Sequence, residues 1–534
     1  MKTTQEIVEK MTLDELCGQL ICYDLSSKRW DDEELHKIAE ETKPGGIFVY
    51  SSSKEIIDKY SKIINEHTNI PIIVSSDAEH GPGGPVKGLP TLPLPMAWGA
   101  CDDEKLIEKA GKATAEICRA NGIHWSFAPI VDVILNKDSL INVRAISDSP
   151  KQVVKIAGAY MDGMQKDGLM AAGCKHFPGE GIDDRNSHFC TTICPLSKEK
   201  WLETYGYIYK EMIKKGAYSI MVGHEALPAF QENEYDEILG YKPATLSYSL
   251  MTKLLKEELG FEGCVVSDAM SMVGACSMVD PDKLAVEFIK AGGDMVLFAL
   301  PNDFKEIKNA VLNGEISIER IKDAVRRIIN LKKAVGLLCN EPKSIEIKED
   351  IYEIAKEIAD KSINIVRNTE HIIPLNIKKG GKILICNLLT EFNRVTAYSL
   401  DTITQELENR GYEVLVLTNP GHRTVEEKLK ENPDCVLVNC RISCRDYFGG
   451  SLRVDWEHIA AFWRGNILKH PKLVFTSFGD PYKLYEFPYL KTYINTFSNV
   501  PETQKAFVRV LLGEVKATGK SPVSLKGFFK RETD

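Results

Sequence analysis

Short apolar runs recur along the first 340 positions, each closed by a polar or charged residue and followed by a longer amphipathic stretch. The runs at 45–50, 70–75, 125–131, 170–175, 219–224, 264–268 and 294–298 read as strands buried on both faces, because apolar residues follow one another instead of alternating. Repetition of such strand and helix units over this length predicts a (β/α)8 barrel. Positions 317–337 keep helical spacing through Ile318, Ile321, Ala324, Val325, Ile328, Ile329, Leu331 and Val335, with Gly336 as the stop. The polar stretch 340–344 reads as a connector and 348–365 as a helix. Beyond it, strand-like runs at 382–386, 413–417, 435–438 and 472–476 alternate with helical segments, which predicts an α/β sandwich. The expected division is a barrel over 1–340, a linker and connecting helix over 341–365, and the sandwich over 366–534.

Composition narrows the partners more than the fold. A chain of 534 residues is long enough for two cores, and a formal charge of −9 with Lys and Glu intermixed argues against a nucleic-acid partner. The amino terminus lacks the apolar core of a signal peptide, and no segment offers about 18 charge-free apolar residues, so neither export nor a membrane partner is expected. Fourteen cysteines stand singly inside apolar runs, as at Cys22, Cys174, Cys264, Cys386 and Cys435, which is the pattern of buried thiols in a reducing compartment. A cytoplasmic protein is the expectation. The Cys190/Cys194 and Cys440/Cys444 spacings lack the second pair of a structural zinc site, so no metal is expected.

Polar residues gather at the carboxyl ends of the strand-like runs: Asp77 and Glu79, Asp132, Lys175 and His176, His224, and Asp268. In a barrel of this class that end carries the active site. Cleaving a glycosidic bond with retention needs a carboxylate to attack the anomeric carbon and a proton donor about 5 Å away. Asp268 suits the first role; as a residue it reads equally well as a helix N-cap for the run that follows. His188, on the glycine-broken loop 178–188, suits proton donation, against the plainer reading of a surface histidine. Lys175 and His176 are placed to donate to sugar hydroxyls and Asp77 to accept from them.

The chain resembles glycoside hydrolase family 3, closest to its bacterial β-N-acetylglucosaminidase branch. The resemblance rests on Lys175-His176-Phe177-Pro178-Gly179, on Ser187-His188, and on Pro243-Ala244-Thr245-Leu246-Ser247 leading through Leu259-Gly260-Phe261 to Ser267-Asp268. Phe478-Gly479-Asp480-Pro481-Tyr482 and Gly519-Lys520-Ser521-Pro522-Val523 extend it into the second domain. It implies a barrel followed by an α/β sandwich, no cofactor, Asp268 as nucleophile and His188 as acid/base. It further implies that Asp77, Arg144, Lys175, His176 and His224 grip the non-reducing-end sugar.

Three positions depart from that branch. Asn186 stands where an aspartate usually orients the catalytic histidine, so the amide orients the ring without stabilising an imidazolium. Glu180-Gly181-Ile182 replaces a His-Gly-Asp segment, which makes Glu180 a rival acid, and Glu180, Asp183 and Asp184 are the candidates to supply the missing charge. Asp77-Ala78-Glu79-His80-Gly81 leans toward the family's β-glucosidase branch. The expected activity is a retaining exo-β-N-acetylglucosaminidase acting on a small oligosaccharide or muropeptide fragment. A β-glucosidase, a phosphorolytic glycosidase and a non-catalytic saccharide sensor stand as alternatives. The acidic cluster Asp446, Asp455 and Glu457 has no role in this reading, and subunit number leaves no mark in the sequence.

Overall fold

The computed structural model describes residues 2–26, 30–339, 345–389, 398–442, 454 and 456–533. The expected connector at 340–344, together with Cys444, Asp446 and Asp455, lies outside them. Packing divides the chain into two compact units, one of Met1–Thr91, Ile107–Val133 and Val153–Ile351, the other of Leu92–Leu106, Ile134–Gln152 and Tyr352–Asp534.

In the first unit eight short strands pair in parallel: β1 (Ile21–Asp24), β2 (Gly46–Phe48), β3 (Ile73–Ser76), β4 (Trp125–Ser126), β5 (Ala171–Phe177), β6 (Ser219–Val222), β7 (Cys264–Ser267) and β8 (Val296–Leu297). Their order runs β7-β6-β5-β4-β3-β2-β1-β8. A parallel bridge between Val266 and Met295, with the Ser267 N–H donating to Met295 O (3.2 Å), brings the two ends of the ring together. Asp294 pins that seam: its Oδ2 accepts the Val265 N–H at 2.8 Å and its Oδ1 receives Lys256 Nζ (2.8 Å) and Arg320 Nη2 (2.6 Å).

Burial on both faces, which made these strands legible, is what the barrel supplies. The β5 and β6 residues are all buried, and helices follow the strands. The last of them, Ile318–Ala334, is capped by the Ser317 side chain at the Arg320 N–H and buries Ile321, Ala324, Val325, Ile328, Ile329, Leu331 and Lys332. Gly336 ends the run at φ 75°, a conformation that a side chain disfavours. Expected and observed elements differ in three places. The run at 125–131 forms a strand only at Trp125–Ser126, because Pro129 has no N–H for a ladder. The strand Ile21–Asp24 escaped notice, since it follows the helix Leu13–Gln19 with no turn signal between them. The helix expected at 348–365 spans Ile351–Ser362, and the chain then enters a strand.

That strand opens the second unit's sheet: β9 (Asn364–Asn368), β10 (Lys382–Leu389), β11 (Glu413–Thr418), β12 (Cys435–Arg441), β13 (Leu473–Ser477) and β14 (Thr492–Asn495), in the order β9-β14-β13-β12-β10-β11. β9 is antiparallel to β14 and the remaining pairs are parallel. Ile383, Ile385, Leu437, Val474 and Ile494 from the strands and Phe507 from a helix form one core. Among the described residues no helix is long and apolar enough to cross a membrane.

Candidate active site

The carboxyl ends of β3, β5, β6 and β7 carry the titratable groups. Lys175 lies within β5, and its Nζ reaches Asp77 Oδ1, one residue past β3, and Glu79 Oε1, both at 2.8 Å. One cation thus holds two carboxylates. Loss of bulk water raises the Asp77 carboxyl above its ordinary range; Lys175 opposes the rise, and Glu79 and Asp268 add to it.

His176 follows Lys175 and is oriented by Asp132. Asp132 Oδ2 lies 2.7 Å from His176 Nδ1, while its Oδ1 accepts the backbone N–H of His176 (3.2 Å) and of Glu180 (2.8 Å). Burial alone would depress the His176 imidazolium, but Asp132, Glu180 and Asp268 outweigh it and raise the group. Asp132 therefore fixes the ring, its charge and the start of the following loop together.

His224, beyond β6, is fully buried. Its Nε2–H donates to Ala269 O (3.1 Å) and its Nδ1 accepts from the Thr245 hydroxyl (3.0 Å), the arrangement of a neutral imidazole. Burial lowers this histidine despite nearby Asp268. Its neighbour Glu225 is buried with Oε2 lacking a hydrogen-bond partner among the described residues, and burial, then Glu180, Asp132 and Asp268, push its carboxyl well above the usual range.

Asp268 is the first residue after β7. Its backbone N–H donates to Val222 O at 2.9 Å and its Oδ1 accepts the Ala269 N–H at 2.7 Å. Burial would raise this carboxyl, but His176, His224 and Lys175 overcome the penalty and lower it, so Asp268 is ionised. The side chain remains partly open to solvent, unlike the strand that carries it. A partly accessible carboxylate beside the Lys175 ammonium and the His176 ring is the arrangement of a nucleophile awaiting an electrophilic carbon.

The loop after β5 brings His188 to the same end of the barrel. Asn186 Oδ1 accepts both the His188 backbone N–H (2.9 Å) and Nδ1–H (2.8 Å), so proton exchange with a substrate runs through Nε2. The loop is tied to the segment after Asp268: the Val273 N–H donates to His188 O (3.0 Å) and Thr191 Oγ1 to Gly274 O (2.9 Å). Gly274 permits this approach, since a Cβ there would sit 2.5 Å from Ser187 O and 2.9 Å from Cys190 O.

Thus Asp77, Lys175, His176, His224 and Asp268 converge, with Glu180 beside His176 and Asn186 on His188. Arg144 closes the 3-10 turn Asn142–Arg144 in the second unit. Glu79 and Asp132 were visible as strand-end acids without a role; Glu225 was not singled out, and its adjacency to His224 is the signal that could have found it. Among the described residues, Asp132, His176 and Glu180 present ligand-type atoms within 4.8 Å of one another. His176 Nδ1 and Asp132 Oδ1 are already committed to hydrogen bonds there, so the set is built to orient a ring. Cys190 and Cys194 do not join it.

A family model described as "Glycosyl hydrolase family 3 N terminal domain" matches residues 12–331. A Cellulomonas fimi protein described as "Beta-N-acetylglucosaminidase/beta-glucosidase" is 28% identical, covering 96% of this chain and 94% of that protein. A solved structure of a beta-glucoside phosphorylase bound to 2FGlc is 27% identical, with a TM-score of 0.87 and coverage of 98% of this chain and 96% of that one. A glycoside hydrolase family 3 beta-N-acetylglucosaminidase from Paenibacillus is 25% identical, with a TM-score of 0.84 and coverage of 96% and 99%.

Proposed function

The chain belongs to glycosyl hydrolase family 3, and on that premise we propose that it is a retaining, exo-acting β-N-acetylglucosaminidase that removes a terminal β-linked sugar from an oligosaccharide or muropeptide fragment. The observation that carries the reading is Asp268: a partly accessible, ionised carboxylate at a barrel strand end, ringed by Lys175, His176 and His224. Asp268 attacks the anomeric carbon and forms a glycosyl-enzyme, while His188 gives a proton from Nε2 to the departing oxygen. In the second step His188 takes a proton from water, which attacks the same carbon and restores the original configuration. Lys175, Asp77 and His176 act on the hydroxyls of the terminal sugar. His224, engaged at both ring nitrogens, acts by shaping the floor beside Asp268.

The test is turnover of nitrophenyl N-acetyl-β-glucosaminide and nitrophenyl β-glucoside by the wild type and His188→Ala, with product configuration followed by NMR. N-acetyl turnover with retention that collapses in the variant is the expected result. An inverted product, or strong preference for the glucoside with little loss in the variant, overturns it.

A second reading is phosphorolysis or β-glucoside cleavage. It is favoured by the neutral Asn186 at His188 Nδ1, which adds no negative charge to repel an incoming phosphate, and by the likeness to a beta-glucoside phosphorylase. Phosphate would then attack the glycosyl-enzyme in place of water, and sugar 1-phosphate in phosphate buffer is its signature. We place the enzyme in the cytoplasm, with support from the thirteen described cysteines, all free thiols. Its partner is a small glycoside, with the barrel and sandwich dividing near residues 340–366.

A further inference from the structure

Two apolar side chains stand exposed where the loops carrying both proposed catalytic residues meet. Phe189, next to His188, is 54% exposed, and Val273, five residues beyond Asp268, is 45% exposed. The Val273 N–H to His188 O bond sets the two backbones side by side, and the close fit of Gly274 on Ser187 O and Cys190 O fixes the junction. Neither side chain is needed for the core. Each costs free energy in water, and both are carried on backbone that meets beside the group that protonates the departing oxygen.

The rim of the same loop is polar. Arg185 is held by Asp183, its Nε donating to the carboxylate at 3.1 Å, and Asp184 is exposed. Asp183 is itself anchored by the Ile193 N–H at 2.8 Å. An apolar centre with a charged rim matches the chemistry of a pyranose ring, whose C–H face packs on aromatic carbon while its hydroxyls reach outward for hydrogen bonds. A purely hydrocarbon occupant would offer the exposed Asp184 carboxylate no hydrogen bond.

We propose that Phe189 and Val273 form the platform for the leaving group, and that the occupant they fit is a second sugar ring. The inference rests on His188 and Asp268 having the roles given above. It makes the enzyme selective for a saccharide leaving group over a small one, with Phe189 as a specificity-determining residue that takes no part in bond cleavage.

The experiment compares kcat/KM for a β-linked disaccharide with that for the corresponding glycosyl fluoride, whose leaving group is too small to touch the platform and needs no protonation. In Phe189→Ala the disaccharide-to-fluoride ratio falls about tenfold, the scale expected when one apolar group is removed from a specificity pocket, and Phe189→Tyr restores it by replacing the ring. An equal loss on both substrates in Phe189→Ala, as a displaced His188 loop would give, overturns the platform. A phenyl glycoside that loses more than the disaccharide overturns the sugar as its occupant. If the wild type turns over neither substrate, the glycosidase reading itself fails, and that result is distinct from an unaltered ratio.

Discussion

At His188 the imidazole Nδ1 meets a neutral amide oxygen, so the protonated ring gains orientation from Asn186 without charge stabilisation. Asn186→Asp supplies that charge, and the basic limb of kcat/KM for an aryl glycoside moves up by about one pH unit in a pH-rate profile. Asp132→Asn acts on the other ring. It keeps Oδ1 as the acceptor for the two backbone N–H groups but weakens the hold on His176, and kcat/KM falls about 10–100-fold with little change in melting temperature. Asp268, Lys175 and His176 were legible in the sequence because a charged residue at the end of a buried run has few other reasons to be there. Asp132 and Glu79 had the same placement, but their work depends on the partner each meets across the barrel, His176 for one and Lys175 for the other. Glu225 was hidden more deeply, for its carboxyl is raised by burial and then by Glu180 and Asp132, which no local pattern brings beside it.

Among elements, the His188 loop and the segment after β7 meet in a close junction beside the site. Gly274→Ala drives a Cβ into Ser187 O and separates the two, with kcat expected to fall about 10–100-fold as the acid is displaced, read by steady-state kinetics beside a folded circular dichroism spectrum. The helix Ile318–Ala334 holds a second testable group. Lys332 is fully buried with Nζ donating to Gln19 Oε1 at 2.7 Å, and burial lowers its ammonium to about 7. The folded state then binds fewer protons than the unfolded chain between about pH 7 and the ordinary lysine range, so stability rises with pH across that window. Urea unfolding at pH 7 and pH 9 reads the rise, and Lys332→Met with Gln19→Leu removes it by replacing amine and acceptor together. The helical period of 317–337 was plain in the sequence even though it carries this lysine, because one polar residue does not break a stripe of seven buried positions. The strands Ile21–Asp24, Asn364–Asn368 and Thr492–Asn495 were missed for the opposite reason: they are short or half polar, and only their neighbours in the sheet make them strands.

Over the whole molecule, cysteine chemistry follows burial. Cys101, Cys190, Cys276 and Cys339 are partly exposed, and the other nine described thiols are buried. A thiol reagent added to native protein labels Cys276 and Cys339 ahead of Cys101 and Cys190, whose thiols burial pushes up, the remainder reacts after denaturation, and the unfolding midpoint does not depend on added reductant. The two-unit arrangement and parallel barrel were foreseeable from the spacing of apolar runs, since a period of strand and helix admits few architectures. Ring closure was not, because it joins Ile21 to Val296 across most of the first unit's sequence. The site depends on that closure, because Asp77, Lys175, His176 and Asp268 face one another only across a shut ring. A contact so distant in sequence forms late when a chain assembles, so the groups of the site are set facing one another only as the ring shuts, and recovered turnover in a refolding experiment becomes a clock for the final step, trailing signals from helix content.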